Sequence, residues 1–443
     1  MNRWNLRSVG TLVGLLVLSL ATMVSGCKKQ PGATGAEGSG SGAAPTGDLV
    51  IGAYLSLTGA KADFGAKTRR GAELALDEAN AAGGVGGRKV RLDVLDDQGT
   101  ADEAGSAVNR LIDVNGAVAI MGEVASSLSL VGGRIAQQKG IPMVSPSSTN
   151  TQVTEIGDFI FRVCFIDPFQ GKVMATFARE KLKLDRVAVF KDVRNDYSIG
   201  LSAAFIEEFK RLGGQVVGEE SYNEGDTDFS AQLTKIKGLD PQALFVPGYY
   251  TEVGNIARQS RRLGLNVPLL GGDGWEGKEL HEIGGADIVG SYYTNHFAPD
   301  NPSEKSKAFI DAYKARYNEP PTALAAQGYD ATALIIDAMR RAPQPTPAAI
   351  RDALAATRDY AGVTGSITFD ERRNPTKGIV VLRVDADGTD KFVAQISPDG
   401  KTVAEAASSG SGAPAAEASG APAAANGSGA VAPAAGNGSG APR

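Results

Sequence analysis

The fold class of this chain follows from Ala117–Thr149, which reads AVAIMGEVASSLSLVGGRIAQQKGIPMVSPSST. A short apolar run, Ala117–Met121, predicts a buried strand, and Gly122 permits a turn into a helix that begins near Ser126. A second apolar run, Ile141–Val144, predicts the next strand. A strand, a helix and a strand in this order form one βαβ unit, whose two strands run parallel and end at the same sheet edge.

Hydroxyl side chains follow both of these strands. Ser126, Ser127 and Ser129 lie where the helix should begin, and residues 145–149 read SPSST. Ligands of open α/β sheets bind outside the carboxyl ends of the strands, and helix N-termini with nearby hydroxyls suit anions. We therefore expect these loops to hold the carboxylate of a small ligand.

The N-terminus has the pattern of a targeting segment. Arg3 and Arg7 precede a mostly apolar stretch, Val9–Val24, that is too short for a membrane span. Small residues then lead to Cys27, as in the bacterial lipoprotein signal that this segment resembles. We expect residues 1–26 to be a signal peptide and Cys27 to be lipidated; the alternative is an ordinary secretory signal with an incidental cysteine.

Low-complexity sequence flanks the middle of the chain. Residues 27–47 predict a flexible linker, and residues 401–443, rich in Ala, Gly, Pro and Ser, predict a disordered tail. The only cysteine besides Cys27 is Cys164, so no intrachain disulfide is expected once Cys27 is lipidated. A net charge of −5 without a basic run argues against nucleic acid as a partner.

The middle of the chain contains the same structural unit twice. Glu73–Asp97 (ELALDEANAAGGVGGRKVRLDVLDD) is echoed by Ala204–Asn223 (AFIEEFKRLGGQVVGEESYN), each a helix, a Gly-Gly stop and a strand. We predict an α/β protein of two Rossmann-like lobes that face each other across a cleft, a preferred place for ligands. Lobe I comprises residues 48–167 and 298–374, and lobe II comprises residues 168–297 and 375–400. The repeated passes between lobes predict a multi-crossover hinge.

Motifs of hydrolytic and redox catalysis are missing from the sequence. The two histidines, His281 and His296, have no partner at metal-ligand spacing, and no GxSxG, CxxC or Walker sequence is present. We therefore expect a binding protein that has no enzymatic activity and needs no metal or cofactor.

An acid and several aromatic residues follow other predicted strands. Asp273 lies between two glycines, which can bring its carboxylate close to a ligand; the alternative is an ordinary turn aspartate. Phe64, Tyr197, Tyr249 and Tyr250 follow strands of both lobes. A carboxylate site, an acid for an ammonium and an aromatic wall describe an α-amino acid pocket, in which both ligand charges are paired.

These motifs, in this order, resemble the periplasmic Leu/Ile/Val-binding protein family, the solute receptors of branched-chain amino acid ABC transporters. The resemblance covers residues 48 to about 385 and includes IGAYLSLTGAKADFGAKTRRGAELALDEANAAGG, VSPSST, DVRNDYSIG, VPGYYTEVG, GGDGW, QGYDA and TGSITFDERRN. It implies a type I periplasmic binding protein architecture and a location in the periplasm or cell envelope. It also implies a monomer that is tethered to the membrane by lipid alone and whose partners are ABC transporter permease subunits.

The resemblance assigns first-lobe roles by position. Ser126 corresponds to the serine that binds the ligand carboxylate, and Ser147 and Thr149 correspond to the pair that contacts the ligand through backbone and hydroxyl groups. Phe64 corresponds to a pocket aromatic.

Second-lobe roles follow in the same way. Tyr197 and Tyr249 correspond to aromatics that cover the ligand on closure, and Asp273 corresponds to the acid that binds the ammonium. The best-known members have glutamate at this last position.

We predict a lipid-anchored receptor that captures an amino acid, with branched-chain side chains the leading option, by hinge closure. Alternatives are a sensory module that passes closure to a signalling partner, and a receptor for a short amide or urea-type solute. An enzyme on a similar scaffold is a third alternative, although no nucleophile–base pair supports it.

Overall fold

Five apolar runs in the first part of the chain pair into one parallel sheet. The computed structural model describes residues 47–299 and 303–406. The strands are β1 (Leu49–Leu55), β2 (Val90–Asp96), β3 (Ala119–Met121), β4 (Met143–Ser145) and β5 (Ile160–Arg162). They pair in the order β2-β1-β3-β4-β5, and all four pairings are parallel. Every residue of β1, β3, β4 and β5 is buried, as expected for a parallel sheet covered on both faces.

A second sheet follows with eight strands. They are β6 (Arg186–Asp192), β7 (Gln215–Tyr222), β8 (Ala243–Phe245), β9 (Leu269–Gly271), β10 (Tyr292–Asn295), β13 (Ile379–Val384), β14 (Asp390–Ile396) and β15 (Thr402–Glu405). The order is β15-β14-β13-β10-β9-β8-β6-β7, parallel from β7 to β10 and antiparallel from β10 to β15. A hairpin of β11 (Tyr360–Gly362) and β12 (Gly365–Ile367) forms a third, small sheet.

Helices alternate with these strands. The first sheet is accompanied by α1 (Ala62–Ala81), α2 (Ala101–Asp113), α3 (Ser126–Lys139) and α4 (Gln152–Glu155). The second is accompanied by α5 (Asp167–Thr176), α6 (Asp196–Arg211), α7 (Ser230–Gly238), α8 (Tyr250–Arg262) and α9 (Lys278–Gly284). Three later helices, α10 (Glu304–Tyr317), α11 (Ala323–Arg341) and α12 (Pro347–Ala355), return to the first half. The predicted α/β class with two lobes is confirmed. No helix in the described part of the chain combines the length and apolar composition that a bilayer crossing requires.

The chain passes between the two large sheets three times. The crossovers follow β5, β10 and β12. The lobe boundaries after residues 167, 297 and 374 remain a prediction from the sequence. Phe165 on the first crossover stacks on His296 on the second, with ring centroids 3.7 Å apart. Lys377 on the third donates a hydrogen bond to the carbonyl oxygen of Val163 on the first, at 3.0 Å. The three segments are therefore packed into one joint.

The C-terminal strand lies in the segment that the sequence predicts to be a disordered tail. The sequence places the start of the tail at residue 401, whereas in the structure Thr402–Glu405 form β15. The chain turns back on β14 because the Ser397 backbone N–H binds the Lys401 carbonyl oxygen at 2.8 Å, and this turn allows the extra strand to pair. The predicted signal peptide, Cys27 and residues 407–443 lie outside the described residues.

Two glycines allow α1 and α11 to cross at backbone contact. A Cβ atom on Gly71 of α1 would lie 1.8 Å from the Ala325 carbonyl oxygen, and one on Gly328 of α11 would lie 2.2 Å from the Thr68 carbonyl oxygen. Both distances are far below van der Waals contact, so neither position has room for a side chain. This crossing brings the N-terminal turn of α11 beside α1.

Replacing Gly71 by alanine should lower the free energy of unfolding by about 2–3 kcal/mol, because the methyl group forces the two helices apart. The matched control is Gly105→Ala in α2, where a Cβ would meet its nearest neighbours at 3.6 Å. That variant should be neutral or more stable by up to about 1 kcal/mol, since alanine is the better helix former. Urea unfolding monitored by circular dichroism gives both values; equal stabilities would contradict the close crossing.

Candidate functional site

A small cavity lies between the carboxyl ends of the parallel strands of the two large sheets. All seven residues singled out from the sequence as ligand contacts line it: Phe64, Ser126, Ser147, Thr149, Tyr197, Tyr249 and Asp273. Val124, Gly274 and Leu324 complete the lining. Tyr250, also noted in the sequence, packs edge-on against Phe64 at 4.9 Å between ring centroids and does not line the cavity.

Part of the hydroxyl cluster holds the two loops of the βαβ unit together. The Ser145 hydroxyl donates to the Glu123 carbonyl oxygen at 3.0 Å and accepts the Ser148 backbone N–H at 3.0 Å. The Ser148 hydroxyl lies 2.7 Å from that of Ser129. These side chains bind one another because the two loops leave neighbouring strands at the same sheet edge. The hydroxyl residues left for the cavity are Ser126, Ser147 and Thr149.

The hydroxyl side of the cavity suits an anion. Ser126 is the first residue of α3, whose N-cap, Ala125, makes no side-chain capping hydrogen bond. Backbone N–H groups of the first helical turn have no intrahelical partner, and they favour negative charge. The Thr149 hydroxyl is buried and makes no close hydrogen bond among the described residues, although it lies near enough to Asp167 to lower the pKa of that acid. The first turn of α3 and this hydroxyl can therefore receive the oxygen atoms of a carboxylate.

Arg162 is a buried cation that fixes the loop carrying these groups. Its guanidinium donates to the carbonyl oxygens of Ser148 and Asn150, the latter at 2.8 Å, and to the Thr154 hydroxyl at 3.1 Å. Burial lowers the pKa of Arg162 from its ordinary value. Arg162 was not among the site residues predicted from the sequence. An arginine inside the apolar run IFRVCF does indicate a buried cation with polar partners, because arginine is seldom buried unless it is paired.

A buried acid fixes the loop in front of α3. The Glu123 carboxylate accepts the backbone N–H of Ser56 at 3.0 Å and its hydroxyl at 2.9 Å. The Asp97 carboxylate also lies 2.9 Å from the Ser56 hydroxyl. Burial, together with the nearby Asp97 charge, raises the pKa of Glu123 to about 8. These contacts join the ends of β1, β2 and β3, and nothing in the sequence pattern pointed to them.

Asp273 lies on the opposite side of the cavity, directly after Gly272 at the end of β9. The residue is only 8% exposed, which distinguishes it from an ordinary turn aspartate. Its Oδ2 atom lies 3.0 Å from His296 Nε2, and its Oδ1 atom has no hydrogen-bond partner among the described residues. A Cβ on Gly272 would lie 2.5 Å from the Tyr197 hydroxyl, and one on Gly274 2.8 Å from a backbone carbonyl oxygen. The flanking glycines are therefore required for the close approach of this loop.

A second buried acid, Asp167, lies near Asp273 at the start of α5. Burial is the main reason that its pKa is raised well above the ordinary value, and the charge of Asp273 adds to the effect. The cation of Arg162 opposes this shift but does not outweigh burial. Asp167 therefore takes up a proton more readily than an exposed aspartate does. Asp167 was not among the site residues predicted from the sequence.

The remaining wall of the cavity is aromatic and aliphatic. The rings of Tyr197 and Tyr249 stack with centroids 5.4 Å apart, and Phe64 packs edge-on against Tyr249 at 5.7 Å. Val124 and Leu324 add aliphatic surface. Leu324 comes from α11, far along the chain from the motifs of the site, and no local pattern marks it.

Comparisons with known proteins identify the family of this chain. Residues 48–389 match the model of a periplasmic binding protein family. The Leu/Ile/Val-binding protein homolog 3 of Brucella melitensis is 33% identical over 327 residues, covering 73% of this chain and 88% of that protein.

Two solved structures are also similar. A leucine-binding protein, LivK, from Thermotoga maritima is 41% identical with a TM-score of 0.76, covering 79% of this chain and 99% of that one. The branched-chain amino acid transporter substrate-binding protein LivJ from Streptococcus pneumoniae, in complex with isoleucine, is 36% identical with a TM-score of 0.74. It covers 78% of this chain and 99% of its own. The chain therefore belongs to the periplasmic binding protein family, among the Leu/Ile/Val-binding proteins.

Proposed function

We propose that this protein is a receptor that binds an aliphatic α-amino acid in the cavity and delivers it to an ABC transporter permease. The observation that carries the proposal is the placement of two opposite polar ends around one small cavity. The first turn of α3 and Thr149 suit a carboxylate, and Asp273 suits an ammonium. A zwitterion pairs both ends at once, which offsets the cost of removing each charge from water.

The apolar wall indicates the class of side chain. Phe64, Val124 and Leu324 offer hydrocarbon surface without a charged partner for a ligand side chain. Leucine, isoleucine and valine fit these properties. The names of the relatives, which include a leucine-binding protein and a complex with isoleucine, support the same class.

Closure of the two lobes is part of the proposal. The Ser127 hydroxyl of lobe I lies 2.8 Å from an Asp196 carboxylate oxygen of lobe II, and the Asn150 amide donates to the Asp196 carbonyl oxygen at 2.7 Å. The Thr251 hydroxyl of lobe II donates to the Ala60 carbonyl oxygen of lobe I at 3.2 Å. Contacts of this kind cannot persist when the lobes separate, so they describe a closed form that a ligand bound to both lobes would favour.

A further contact between the lobes involves Glu276, on the same loop as Asp273. Its carboxylate accepts the backbone N–H groups of Ala323 and Leu324, at 2.6 and 3.2 Å, in the first turn of α11. Burial raises the pKa of Glu276 from its ordinary value of 4.5 to about 8. This contact joins the ammonium side of the cavity to Leu324 in its apolar wall.

Family membership implies a protein that works outside the cytoplasm. We propose further that lipid on Cys27 tethers it to the membrane, that it acts as a monomer, and that it binds its ligand without chemical conversion. Delivery to permease subunits would be supported if the ligand-loaded protein stimulated the ATPase of a reconstituted transporter. A signalling receptor would leave that ATPase unchanged.

Replacing Asp273 by alanine should weaken leucine binding by about 100-fold or more, because the ligand ammonium would then be buried without a counter-charge. Isothermal titration calorimetry of the purified protein measures the change. Asp311→Ala, which alters an exposed aspartate on α10, is the matched control and should bind leucine as the wild type does. Near-native affinity in Asp273→Ala would reject the proposed amino acid site.

The affinity for leucine should fall by about tenfold or more between pH 6 and pH 8.5. An acid whose pKa is higher in the closed form takes up a proton on closure, so closure becomes less favourable as pH rises from 4.5 towards 8. This pH range stays below the titration of leucine's own ammonium. Glutamine has the shape of the protonated acid, so Glu276→Gln should bind well at pH 6 and lose little at pH 8.5.

Glu276→Ala provides the comparison at both pH values. It should bind more weakly than Glu276→Gln throughout, since alanine leaves two helix N–H groups without an acceptor on closure. An identical pH dependence in the wild type and Glu276→Gln would show that another group titrates on closure.

A further inference from the structure

His296 lies on the second crossover, immediately after β10, and its side chain is only 2% exposed. The imidazole stacks on Phe165 of the first crossover, with ring planes at 23° and centroids 3.7 Å apart. Two of the three segments that join the lobes therefore hold this ring in place. His296 does not line the cavity. From the sequence it was noted only as a histidine that has no second ligand at the spacing of a metal site.

The ring can donate a hydrogen bond to Asp273, since His296 Nε2 lies within hydrogen-bond distance of its carboxylate. Burial is the main reason that the pKa of His296 is lowered; the hydrogen bond to Asp273 opposes the shift without reversing it. A neutral imidazole has a single N–H group. A carboxylate that receives a ligand ammonium can only accept, so with such a ligand bound that N–H lies on Nε2, 3.0 Å from Asp273 Oδ2. The Nδ1 atom has no partner among the described residues.

Asp273 is held at a second point through its backbone. Its N–H donates to Gln170 Oε1 at 2.8 Å, and the same oxygen accepts the Thr294 hydroxyl at 2.8 Å. With the backbone and Oδ2 both bound, only Oδ1 is left for a ligand. An acceptor of this kind attracts a cationic donor and repels another anionic oxygen.

We propose that His296 is the positioning residue of the amine site: it aims one oxygen of Asp273 into the cavity and thereby restricts the receptor to solutes that carry a cationic amine. The inference rests on the proposed function and narrows it. Carboxylic acids of the same shape that lack an amine should be rejected, because they leave the buried carboxylate without a donor.

Two substitutions of His296 separate the effect of its N–H donor from the effect of its aromatic ring. His296→Phe keeps an aromatic surface for Phe165 but has no N–H group. His296→Gln keeps a side-chain N–H donor without the ring. Thermal unfolding followed by circular dichroism identifies any variant that does not fold, and binding is compared among folded proteins.

The measurement is the ratio of affinities for leucine and 4-methylpentanoate, which is leucine without its amine, by calorimetry of the purified protein. We expect this ratio to fall by about tenfold or more in His296→Phe, as for the loss of a hydrogen bond to a charged group. In His296→Gln the ratio should stay within about threefold of the wild type. A purely structural role would weaken both ligands equally and leave the ratio unchanged.

An unchanged ratio in His296→Phe would overturn the proposal, and so would an equal loss in His296→Gln. Asp273→Ala distinguishes this failure from that of the proposed function. If Asp273→Ala loses leucine while His296→Phe keeps the wild-type ratio, the amino acid site stands and the role of His296 falls. If Asp273→Ala also keeps the wild-type ratio, both the amino acid site and the role of His296 are rejected.

Discussion

The site depends on the cost of burying a carboxylate that is only half paired. Asp273 Oδ2 is bound by His296, but Oδ1 is buried without a partner among the described residues. An unsatisfied buried charge costs several kcal/mol, and the Thr149 hydroxyl on the other side of the cavity adds a smaller cost of the same kind. In the proposed complex, a zwitterion removes both costs, but only when the lobes are closed around it. The proposal therefore couples ligand binding to closure through desolvation, and the ligand would shift the population towards the closed form.

The general position of the site could be predicted from the sequence because parallel strands end at a common edge. Ser126 and Thr149 follow neighbouring strands, and Asp273 follows a strand of the other sheet, so the fold alone brings their loops to one cleft. Which hydroxyls face the ligand was harder to infer from the sequence. Ser129, Ser145 and Ser148 have the same chemistry but bind one another, and only the three-dimensional arrangement of the loops separates the two groups.

The residues that the sequence did not reveal act through long-range contacts. Arg162, Glu123 and His296 are buried polar groups whose partners lie on other strands or crossovers, and no periodic pattern encodes such pairings. Leu324 reaches the cavity because α11 crosses α1 at Gly71 and Gly328. Judged by helix propensity alone, a glycine in a helix is only unfavourable. In the fold, these two glycines let α1 and α11 cross closely, and the crossing brings Phe64 and Leu324 to the same cavity.

The length of the acid at position 273 is matched to the position of His296, which binds it. A glutamate, as in the best-known relatives, would extend farther from the same backbone and move its oxygens away from His296 Nε2, which now lies 3.0 Å from Asp273 Oδ2. The stack with Phe165 fixes the ring on the crossovers, so the histidine cannot follow. The shorter acid and the buried imidazole are therefore matched in length, and the proposed amine site lies beside the joint that connects the lobes. A carboxylate anchored there can keep its position during closure while the hydroxyl loops approach from the other lobe.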